Sequence, residues 1–437
     1  MFRKFTKQLK DWDTQGKKEP LLVLGVRQVG KTWCMLEYAK ERGDYFYLNL
    51  EESPEYLSAF EGSLSPGHIL KIISILSGRT ITERTLLILD EIQVSERAIT
   101  SLKYFCEAEE NYRVVAAGSL LGVKLNRFTS SFPVGKVRIV TMYPMDFEEY
   151  LIALGEQPLQ ELIRSSLSSF APLPSAVHDK ALDLLYDYLI VGGMPQAVSE
   201  HVASGGNIAA FHRDVHQNLY RTYVADMSKY VHSAVESVKI NQVFDSIPRQ
   251  LARENPTFKY RDVKPTANRR DYYAPIDWLC SSWMIFKVPR VTAPTHPLKL
   301  QQEEGTFKLY LFDVGLLSTM AGMERRDFLL SEDVRFKGFL VENYVFMEAF
   351  CRNLSPYFFR PSQKIEIDML LDMDSLVVPM EIKAGRHKRS TSLKNYMEAY
   401  SPEIAVRISA LGQGKVDKLI SVPLYAVGAF LEGNVRV

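Results

Sequence analysis

Gly25, Gly30, Lys31 and Thr32 are the residues whose types and spacing first suggest chemistry in this sequence. They stand in "GVRQVGKT", which follows a short apolar segment at 21–24 and precedes a helical pattern. Glycines let the backbone wrap an anion with its N–H groups, and the following helix adds the positive end of its dipole. The lysine of such a loop reaches the β- and γ-phosphates, and its hydroxyl residue holds Mg²⁺. We therefore predict an ATP site with Mg²⁺, formed by Gly25, Gln28, Val29, Gly30, Lys31, Thr32 and Trp33.

Asp90 and Glu91 end the continuous apolar run "RTLLILDE". Such a run suits a parallel strand buried on both faces, and open α/β sheets bind ligands at the carboxyl ends of their strands. An acidic pair in this place is, taken alone, more often part of a turn. The phosphate-type loop upstream favours the functional interpretation. We predict that Asp90 joins Thr32 in the Mg²⁺ shell and that Glu91 polarises the attacking water.

The segment "KIEIDMLLDMDSLVVPMEIKAG" offers a different kind of chemistry. Its alternation predicts two strands around a "DMDS" turn, with Asp368 on one strand and Glu381 and Lys383 on the other. Paired as a hairpin, the strands bring these three side chains together. Carboxylates bind divalent metals and a lysine can orient or deprotonate water, so phosphodiester hydrolysis is chemically reasonable. The alternative is a hairpin in which the same charges form only a structural salt bridge.

Further predicted strands place these groups in an α/β protein. "YFYLNLEES", "YRVVAAGSLLG" and "GKVRIVTMYP" fit buried or half-buried strands, and helical patterns separate most of them. Before the hairpin, "RFKGFLVENYVFMEAF" predicts a long helix that carries Glu342 among apolar neighbours. A carboxylate in such surroundings needs a partner. After the hairpin come a predicted helix, "STSLKNYMEAY", and a strand, "EIAVRISA".

Composition sets broad limits on the class of protein. Lys and Arg together number 53 and Asp and Glu 52, so no overall charge argues for nucleic acid or a membrane. The four cysteines are scattered without metal-binding spacing, which fits a reducing compartment. The charged start is not a signal peptide, and no segment approaches the roughly 18 apolar residues of a membrane span. We expect a soluble, cytoplasmic protein with no membrane partner.

Eight short motifs occur in an order that resembles a widespread group of bacterial and archaeal AAA-type P-loop ATPases with a C-terminal domain of unknown function. They are "VRQVGKT", "LDEIQ", "AAGSLLG", "YPMDFEEYL", "VGGMPQAV", "YVADMSKY", "LYLFDVGLL" and "KGFLVENYVF". The likeness extends from about residue 18 to about residue 410. It implies an ATP hydrolase in which Ser119 is placed like the polar sensor of the γ-phosphate. The predicted catalytic residues are thus Lys31, Glu91 and Ser119.

One departure from that group concerns an arginine. Where relatives often have Gly-Arg before the last ATPase strand, this sequence has Gly135-Lys136. A lysine is a monodentate substitute for an arginine that stabilises a transition state. Arg127 or Arg138 is an alternative source of that charge, and turnover is expected to be slow if none replaces it.

The resemblance also implies the arrangement of the remaining chain. We predict an ATPase sandwich at 1–150, a helical lid at 151–230 and a winged helix at 231–325. The order helix, three strands, helix, strand in 326–437 resembles the restriction-endonuclease-like, PD-(D/E)xK, fold. By that likeness Glu342, Asp368, Glu381 and Lys383 map onto a metal-and-lysine nuclease site, although Ile367 stands where that motif has its proline.

Basic residues suggest a nucleic-acid partner. Lys264, Arg269 and Arg270 stand among tyrosines in "YRDVKPTANRRDYY", and Arg386, Lys388 and Arg389 follow the hairpin. Such groups suit phosphate contact and base stacking, but they are also typical of a solvated surface. His212 and His216 share a predicted helix face, and without a third ligand we expect a helix surface rather than zinc.

The leading hypothesis is an ATPase that acts on, or is regulated by, DNA or RNA and is coupled to a nuclease-like domain with a second divalent metal. The alternative is an ATP-switched signalling or scaffolding ATPase whose nuclease fold is inactive. Oligomerisation is compatible with both.

Overall fold

A computed structural model describes residues 1–16, 19–119, 133, 135–229, 231, 233–324, 326–327, 334–362, 365–385 and 391–434. The chain divides into two compact units. Unit 1 comprises Met1–Tyr143 and Ser281–Met284, and unit 2 comprises Pro144–Cys280 and Ile285–Val437. The division into four domains by sequence stays a prediction. Within the described ranges, no helix is long and apolar enough to cross a membrane.

Unit 1 is built on a parallel sheet whose strands lie where the sequence predicts them. The strands are β1 (Leu21–Leu24), β2 (Tyr45–Asn49), β3 (Leu86–Asp90), β4 (Arg113–Ala117) and β5 (Arg138–Thr141). The described helices are α1 (Lys4–Thr14), α2 (Lys31–Arg42), α3 (Pro66–Ser77) and α4 (Glu96–Glu107). The spatial order is β5-β1-β4-β3-β2, with every adjacent pair parallel.

The strand order explains how distant residues of unit 1 reach one edge. β1, β3 and β4 are buried along their whole length, as their apolar sequences predict. Leu22, Leu87 and Leu89 pack in one core cluster with Ile69 of α3 and Leu102 of α4. Because the strands are parallel, the loop after β1, Asp90 at the end of β3 and the chain after β4 all lie at the carboxyl edge of the sheet.

Unit 2 begins with helices. The described helices are α5 (Phe147–Ala153), α6 (Gln157–Ser169), α7 (Ser175–Val191), α8 (Pro195–Ala203), α9 (Asp214–Lys229), α10 (Ala234–Leu251), α11 (Tyr260–Val263), α12 (Arg269–Ser281), α13 (Val314–Met320), α14 (Val334–Phe350), α15 (Thr391–Tyr400) and α16 (Val427–Ala429). α7 is followed by Gly192 as its C-cap, and the N–H of Gly193 donates to Oδ2 of Asp313 at 2.7 Å. Asp313 also caps α13 by accepting a hydrogen bond from Leu316 N at 2.8 Å. The motifs "VGGMP" and "FDVG" are therefore joined through one buried carboxylate.

The strands of unit 2 form one mixed sheet. They are β6 (Ile285–Val291), β7 (Gln302–Leu311), β8 (Tyr357–Ser362), β9 (Ile365–Met373), β10 (Leu376–Ile382), β11 (Ala405–Ser409), β12 (Gly414–Val416) and β13 (Leu419–Pro423), in the order β12-β13-β11-β10-β9-β8-β6-β7. The predicted hairpin is present as antiparallel β9 and β10, joined at Asp374 and Ser375, both at positive φ. The predicted element order α14-β8-β9-β10-α15-β11 is also present.

One feature of this sheet was not expected from the sequence. β6 and β7, which the sequence assigns to a winged helix, continue the sheet formed by the C-terminal strands, because β6 pairs in parallel with β8. This pairing has a direct chemical consequence, since it brings side chains of β7 into the cluster described below.

Candidate functional site

The loop after β1 has a backbone that its glycines make possible. Gly25 has φ +137°, and a Cβ there would lie 2.2 Å from the carbonyl oxygen of Met142. Gly30 has φ +98° and immediately precedes α2. Gln28 also has positive φ, an uncommon conformation for a residue with a side chain. The loop therefore turns tightly and directs its end into the N-terminus of a helix, which is a favourable place for an anion.

Lys31 lies folded against this loop. Its ammonium donates to the carbonyl oxygens of Gly25 at 2.9 Å and Val26 at 2.8 Å, and the residue is 7% exposed. Burial lowers the pKa of Lys31 to about 8, although Glu91 and Asp90 act to raise it. The charge is thus held at the loop, where its own carbonyls and the nearby carboxylates surround it.

Asp90 connects the loop to two strands. Its Oδ2 accepts hydrogen bonds from Thr32 Oγ1 at 2.6 Å and from the hydroxyl of Tyr47 at 3.1 Å. Its Oδ1 accepts from the N–H of Glu91 at 3.0 Å. The structure thus brings the predicted pair Thr32 and Asp90 into contact. Tyr47 was not singled out from the sequence; its place at the end of the neighbouring strand β2 was the available signal.

Glu91 follows β3 in a left-handed conformation with φ +51°. Its carboxylate accepts a hydrogen bond from the amide of Gln93, a buried residue that sequence reasoning did not select. Burial raises the pKa of Glu91, the Gln93 hydrogen bond opposes this, and Asp90 adds to the rise. Gln93 therefore fixes the orientation of Glu91 and helps to keep it ionised.

Ser119 and Arg3 complete the surroundings. Ser119 is 4% exposed, two residues beyond β4, and its hydroxyl has no hydrogen-bond partner among the residues that the structure describes. Arg3 is buried and donates to the carbonyl of Val29 in the loop at 2.8 Å and to that of Tyr143 at 2.7 Å. Arg3 thus anchors the loop, a role without a sequence signal because its partners are backbone atoms.

Trp33 and the residues considered as sources of a transition-state charge lie at or near the surface where the structure describes them. Trp33, at the start of α2, is 41% exposed. Lys136 pairs with Glu107 at 3.2 Å on the surface, and Arg138 donates to Gln15 at 3.3 Å. Arg127 lies outside the described residues. The described partners of Lys136 and Arg138 are therefore surface groups.

The C-terminal charges form a second cluster. The ladder between β9 and β10 ends at Met369 and Met380, and the carboxylate of Asp368 then accepts the N–H of Ile382 at 2.8 Å. Asp368 is thereby turned toward β10. There Glu381 Oε1 lies 2.6 Å from Lys383 Nζ. The predicted hairpin residues are brought together for this reason.

Glu342 joins the cluster from α14 with two partners that sequence reasoning missed. Its Oε1 lies 2.8 Å from Lys308 Nζ and accepts a hydrogen bond from the hydroxyl of Tyr310 at 2.5 Å. Both partners stand on β7, two residues apart and thus on one face of the strand. The alternation of "FKLYL" was a local signal, but nothing local indicates that this strand reaches Glu342.

The electrostatics of the cluster reflect crowded carboxylates. Burial raises the pKa of Asp368 to about 7; Glu381 and Glu342 contribute to the rise, and Lys308 and Lys383 oppose it. Burial acts to lower the pKa of Lys383, but Asp368 and Glu381 outweigh it and raise the pKa overall. Glu381 is 3% exposed, and within the described part of the chain its Oε2 has no hydrogen-bond partner. A buried carboxylate oxygen without a partner fits an additional cation at this place.

A separate acidic group is compensated by arginine. Asp146, Glu148 and Glu432 are the described carboxylates whose oxygens lie within 4.8 Å of one another. Arg352 lies 3.2 Å from Asp146, 3.8 Å from Glu148 and 3.0 Å from Glu432, and Arg164 lies 2.5 Å from Glu148. The carboxylates of the "DFEEYL" motif thus take part in an ion-pair network rather than a metal site.

The remaining candidates lie elsewhere in unit 2. Lys264, Arg269 and Arg270 are exposed, and Tyr273 beside them is 55% exposed. Arg386, Lys388 and Arg389 lie outside the described residues. His216 is fully buried, with Nε2 2.9 Å from the carbonyl of Val191, whereas His212 is exposed. No described metal-ligand group contains either histidine.

Three segments of the chain match protein-family models. Residues 17–151 match the family model described as an AAA domain. Residues 182–327 match a domain of unknown function (DUF8612), and residues 337–425 match another (DUF4143). Comparison with curated proteins gives no match.

Three solved structures illustrate the similarity of this chain to known folds. The Walker-type ATPase of Pyrococcus abyssi is 13% identical with a TM-score of 0.44, over 73% of this chain and 95% of that one. The Aeropyrum pernix ORC2 protein is 11% identical with a TM-score of 0.34, over 72% and 92%. Aquifex aeolicus DnaA is 15% identical with a TM-score of 0.26, over 64% and 84%. At these values the likenesses decide nothing about function.

The loop geometry, the contact between Thr32 and Asp90 and the family match agree for the front part of the chain. Residues 17–151 match the AAA-domain model and contain a phosphate-type loop next to Thr32 and Asp90. The other two matched domains are of unknown function, so any role for the rest of the chain has to be inferred from its residues.

Proposed function

We propose that the protein binds ATP with Mg²⁺ and hydrolyses it. The observation that carries this proposal is the 2.6 Å contact between Thr32 and Asp90 next to the lysine of the loop. Thr32 and Asp90 would hold Mg²⁺, which supplies charge stabilisation for phosphoryl transfer. Lys31 binds the β- and γ-phosphates, Glu91 orients the attacking water and Ser119 senses the γ-phosphate. The nucleotide-contacting residues are Gly25, Gln28, Val29, Gly30, Lys31, Thr32 and Trp33.

Phosphate release from ATP tests this proposal. Lys31→Ala should abolish Mg²⁺-dependent release, because it removes the cation that faces the phosphates. Lys40→Ala is the matched control, since Lys40 is an exposed lysine on the same helix, paired with Glu37. Equal activity in wild type and Lys31→Ala would contradict the proposal.

We further propose that unit 2 contains a helical lid, a winged helix and a nuclease-like domain that act on DNA or RNA. The exposed Lys264, Arg269 and Arg270 beside the exposed Tyr273 support this, because they combine phosphate-binding charge with a face for base stacking. Tyr272 is excluded from such contact, since it is 4% exposed and its hydroxyl donates to Gln242.

The C-terminal cluster is proposed as a metal-dependent phosphodiesterase site. Asp368 and Glu381 would supply oxygen ligands, Glu342 completes the acidic cluster, and the buried, unpartnered Oε2 of Glu381 supports the fit of this end to a divalent cation. Lys383, 35% exposed and 2.6 Å from Glu381, would orient the attacking water. The cation, when bound, supplies Lewis-acid polarisation of the phosphodiester.

Cleavage of supercoiled plasmid and of single-stranded DNA and RNA, with Mg²⁺ or Mn²⁺, tests the nuclease proposal. Wild type should cut, Lys383→Ala should not, and Lys394→Ala, which changes an exposed lysine of α15, should cut like wild type. Parallel reactions with and without ATP, and with Lys31→Ala, determine whether ATP controls cleavage.

The alternative function is an ATP-switched signalling or scaffolding ATPase with an inactive nuclease fold. The observation that favours it is the double contact of Glu342 with Lys308 and Tyr310, which satisfies one oxygen of that carboxylate with protein groups. If wild type and Lys383→Ala are equally inert on every substrate while ATP hydrolysis persists, this alternative becomes the better description.

A further inference from the structure

Lys308 introduces a positive charge into the interior of the carboxylate cluster. The residue is 1% exposed, and its ammonium lies 2.8 Å from Glu342 Oε1 and 5.1 Å from the centroid of the Phe358 ring. The ammonium therefore forms a buried ion pair with Glu342.

The two ends of the cluster differ in their surroundings. At the Glu342 end, Tyr310 stacks on Phe346 with ring centroids 4.2 Å apart, and Phe358 faces the ammonium. An ammonium is compatible with aromatic faces. A divalent ion such as Mg²⁺ keeps several waters, so beside these rings it competes poorly with the ammonium for Glu342. At the other end, Lys383 is 35% exposed, so this side of the cluster borders solvent although Glu381 itself is buried.

The charge balance also distinguishes one additional cation from two. Three carboxylates, Glu342, Asp368 and Glu381, face two ammonium groups, Lys308 and Lys383. Glu366 also acts on Lys308, but its charge is offset by Arg360 at 3.5 Å. This leaves one unit of negative charge, which a single divalent ion reverses to one unit of positive charge. A second divalent ion would leave a large uncompensated positive charge in a mostly buried place, which is unfavourable.

We propose that Lys308 is a resident cation that fills one cation position of the cluster and so limits it to a single divalent ion at the Asp368–Glu381 end. The single-ion part rests on the proposed nuclease-like site. The filling of one position by Lys308 does not depend on it.

The test counts Mn²⁺ bound to the nucleotide-free full chain, using the electron paramagnetic resonance of free Mn²⁺. An Asp90→Asn background removes the metal ligand of the ATPase domain. In this background we expect one bound Mn²⁺. Lys308→Met should bind one more, because the position beside Glu342 then lacks its cation. Lys308→Met combined with Glu342→Gln should return to the count of the background, because charge and countercharge are removed together.

Two further variants protect the test against trivial outcomes. Lys308→Gln keeps an N–H donor for Glu342 without the charge, and it should gain Mn²⁺ even if the methionine variant does not fold. Lys287→Met changes an exposed lysine on β6 that lies 4.5 Å from the Phe307 ring, and it should leave the count unchanged.

The possible counts separate the two proposals. If the background binds no Mn²⁺ and the folded Lys308 variants bind one, the metal site proposed above fails while the resident-cation role stands. If background and Lys308 variants bind the same number, or the variants bind fewer, the resident-cation role is overturned. A background count of one in that case leaves the proposed metal site intact.

Discussion

The hydroxyl of Thr32 donates a 2.6 Å hydrogen bond to Oδ2 of Asp90, 58 residues later in the chain. In the same site Tyr47 donates to the same oxygen and Lys31 lies against the loop. Two oxygen groups of the kind that Mg²⁺ prefers are thus already in contact before any ligand contributes. Mutation of Thr32 is therefore a direct test of the proposed Mg²⁺ site.

Thr32→Ala should reduce ATP turnover by about 100-fold or more, because a lost metal ligand removes several kcal/mol of charge stabilisation. Thr32→Ser keeps the hydroxyl and should retain most activity. Phosphate release measures turnover, and a fluorescent ATP analogue measures binding. Similar turnover in the alanine and serine variants would show that the hydroxyl is not a metal ligand.

Gln93→Ala should shift the pH dependence of ATP hydrolysis. The Gln93 amide stabilises the ionised form of Glu91, so its loss should raise the pKa of Glu91 further. The general base must be ionised, and the acid limb of kcat/KM should therefore move to higher pH. Glu91→Gln should lose activity at every pH. If the acid limb does not move in Gln93→Ala, the ionisation of Glu91 does not determine that limb.

Arg269→Ala combined with Arg270→Ala should weaken nucleic-acid binding in a salt-dependent way. Each phosphate contact contributes about 0.9 to the slope of log affinity against log salt on duplex DNA, so the slope should fall by about 1.8. Fluorescence anisotropy over a salt series measures it. Lys299→Ala with Lys418→Ala is a charge-matched control outside α12. An identical fall for both pairs would indicate only a general charge effect.

The sequence predicted what is encoded within short segments. The contact of the loop with Asp90 could be predicted because strand, glycine spacing and helix follow one another directly in the sequence. The β9–β10 hairpin could be predicted because its alternation and its turn are local. Lys308 could not be assigned to the cluster, because its contact with Glu342 depends on β6 pairing with β8. That pairing joins segments about 70 residues apart and has no local pattern.

Asp313 provides a test of stability against pH. Burial raises its pKa to about 6, against several backbone N–H donors that lower it. The native state therefore holds a proton more tightly than the unfolded state, and the contribution of Asp313 to the free energy of unfolding is present at low pH and lost as pH rises through about 6. Relative to wild type, Asp313→Asn should gain about 1 kcal/mol or more between pH 5 and pH 7.

Urea unfolding at several pH values measures the difference between Asp313→Asn and wild type. Asp277→Asn, at an exposed position of α12, is the control and should show no such trend. If the difference in free energy of unfolding between Asp313→Asn and wild type is constant with pH, the pKa of Asp313 is the same in the native and unfolded states.

Arg352 should be the most sensitive position of the ion-pair network in unit 2. Its side chain is 7% exposed, and it contacts Asp146 at 3.2 Å, 206 residues earlier, and Glu348 at 2.6 Å. Arg352→Met leaves these carboxylates buried without their cation, which costs about 3–5 kcal/mol when one member of a buried pair is removed.

Arg164→Met is the matched comparison for Arg352→Met, because Arg164 contacts Glu148 and Glu432 of the same network but is 31% exposed. Solvent reaches Glu432, which is 28% exposed, and the buried Glu148 keeps its contact with Arg352 at 3.8 Å, so the loss should be smaller. Urea unfolding followed by circular dichroism measures both variants. Combining Arg352→Met with Asp146→Asn should recover part of the lost free energy of unfolding, because one of the carboxylates left without its cation is neutralised. If both arginine variants lose the same free energy, burial does not govern the strength of this network.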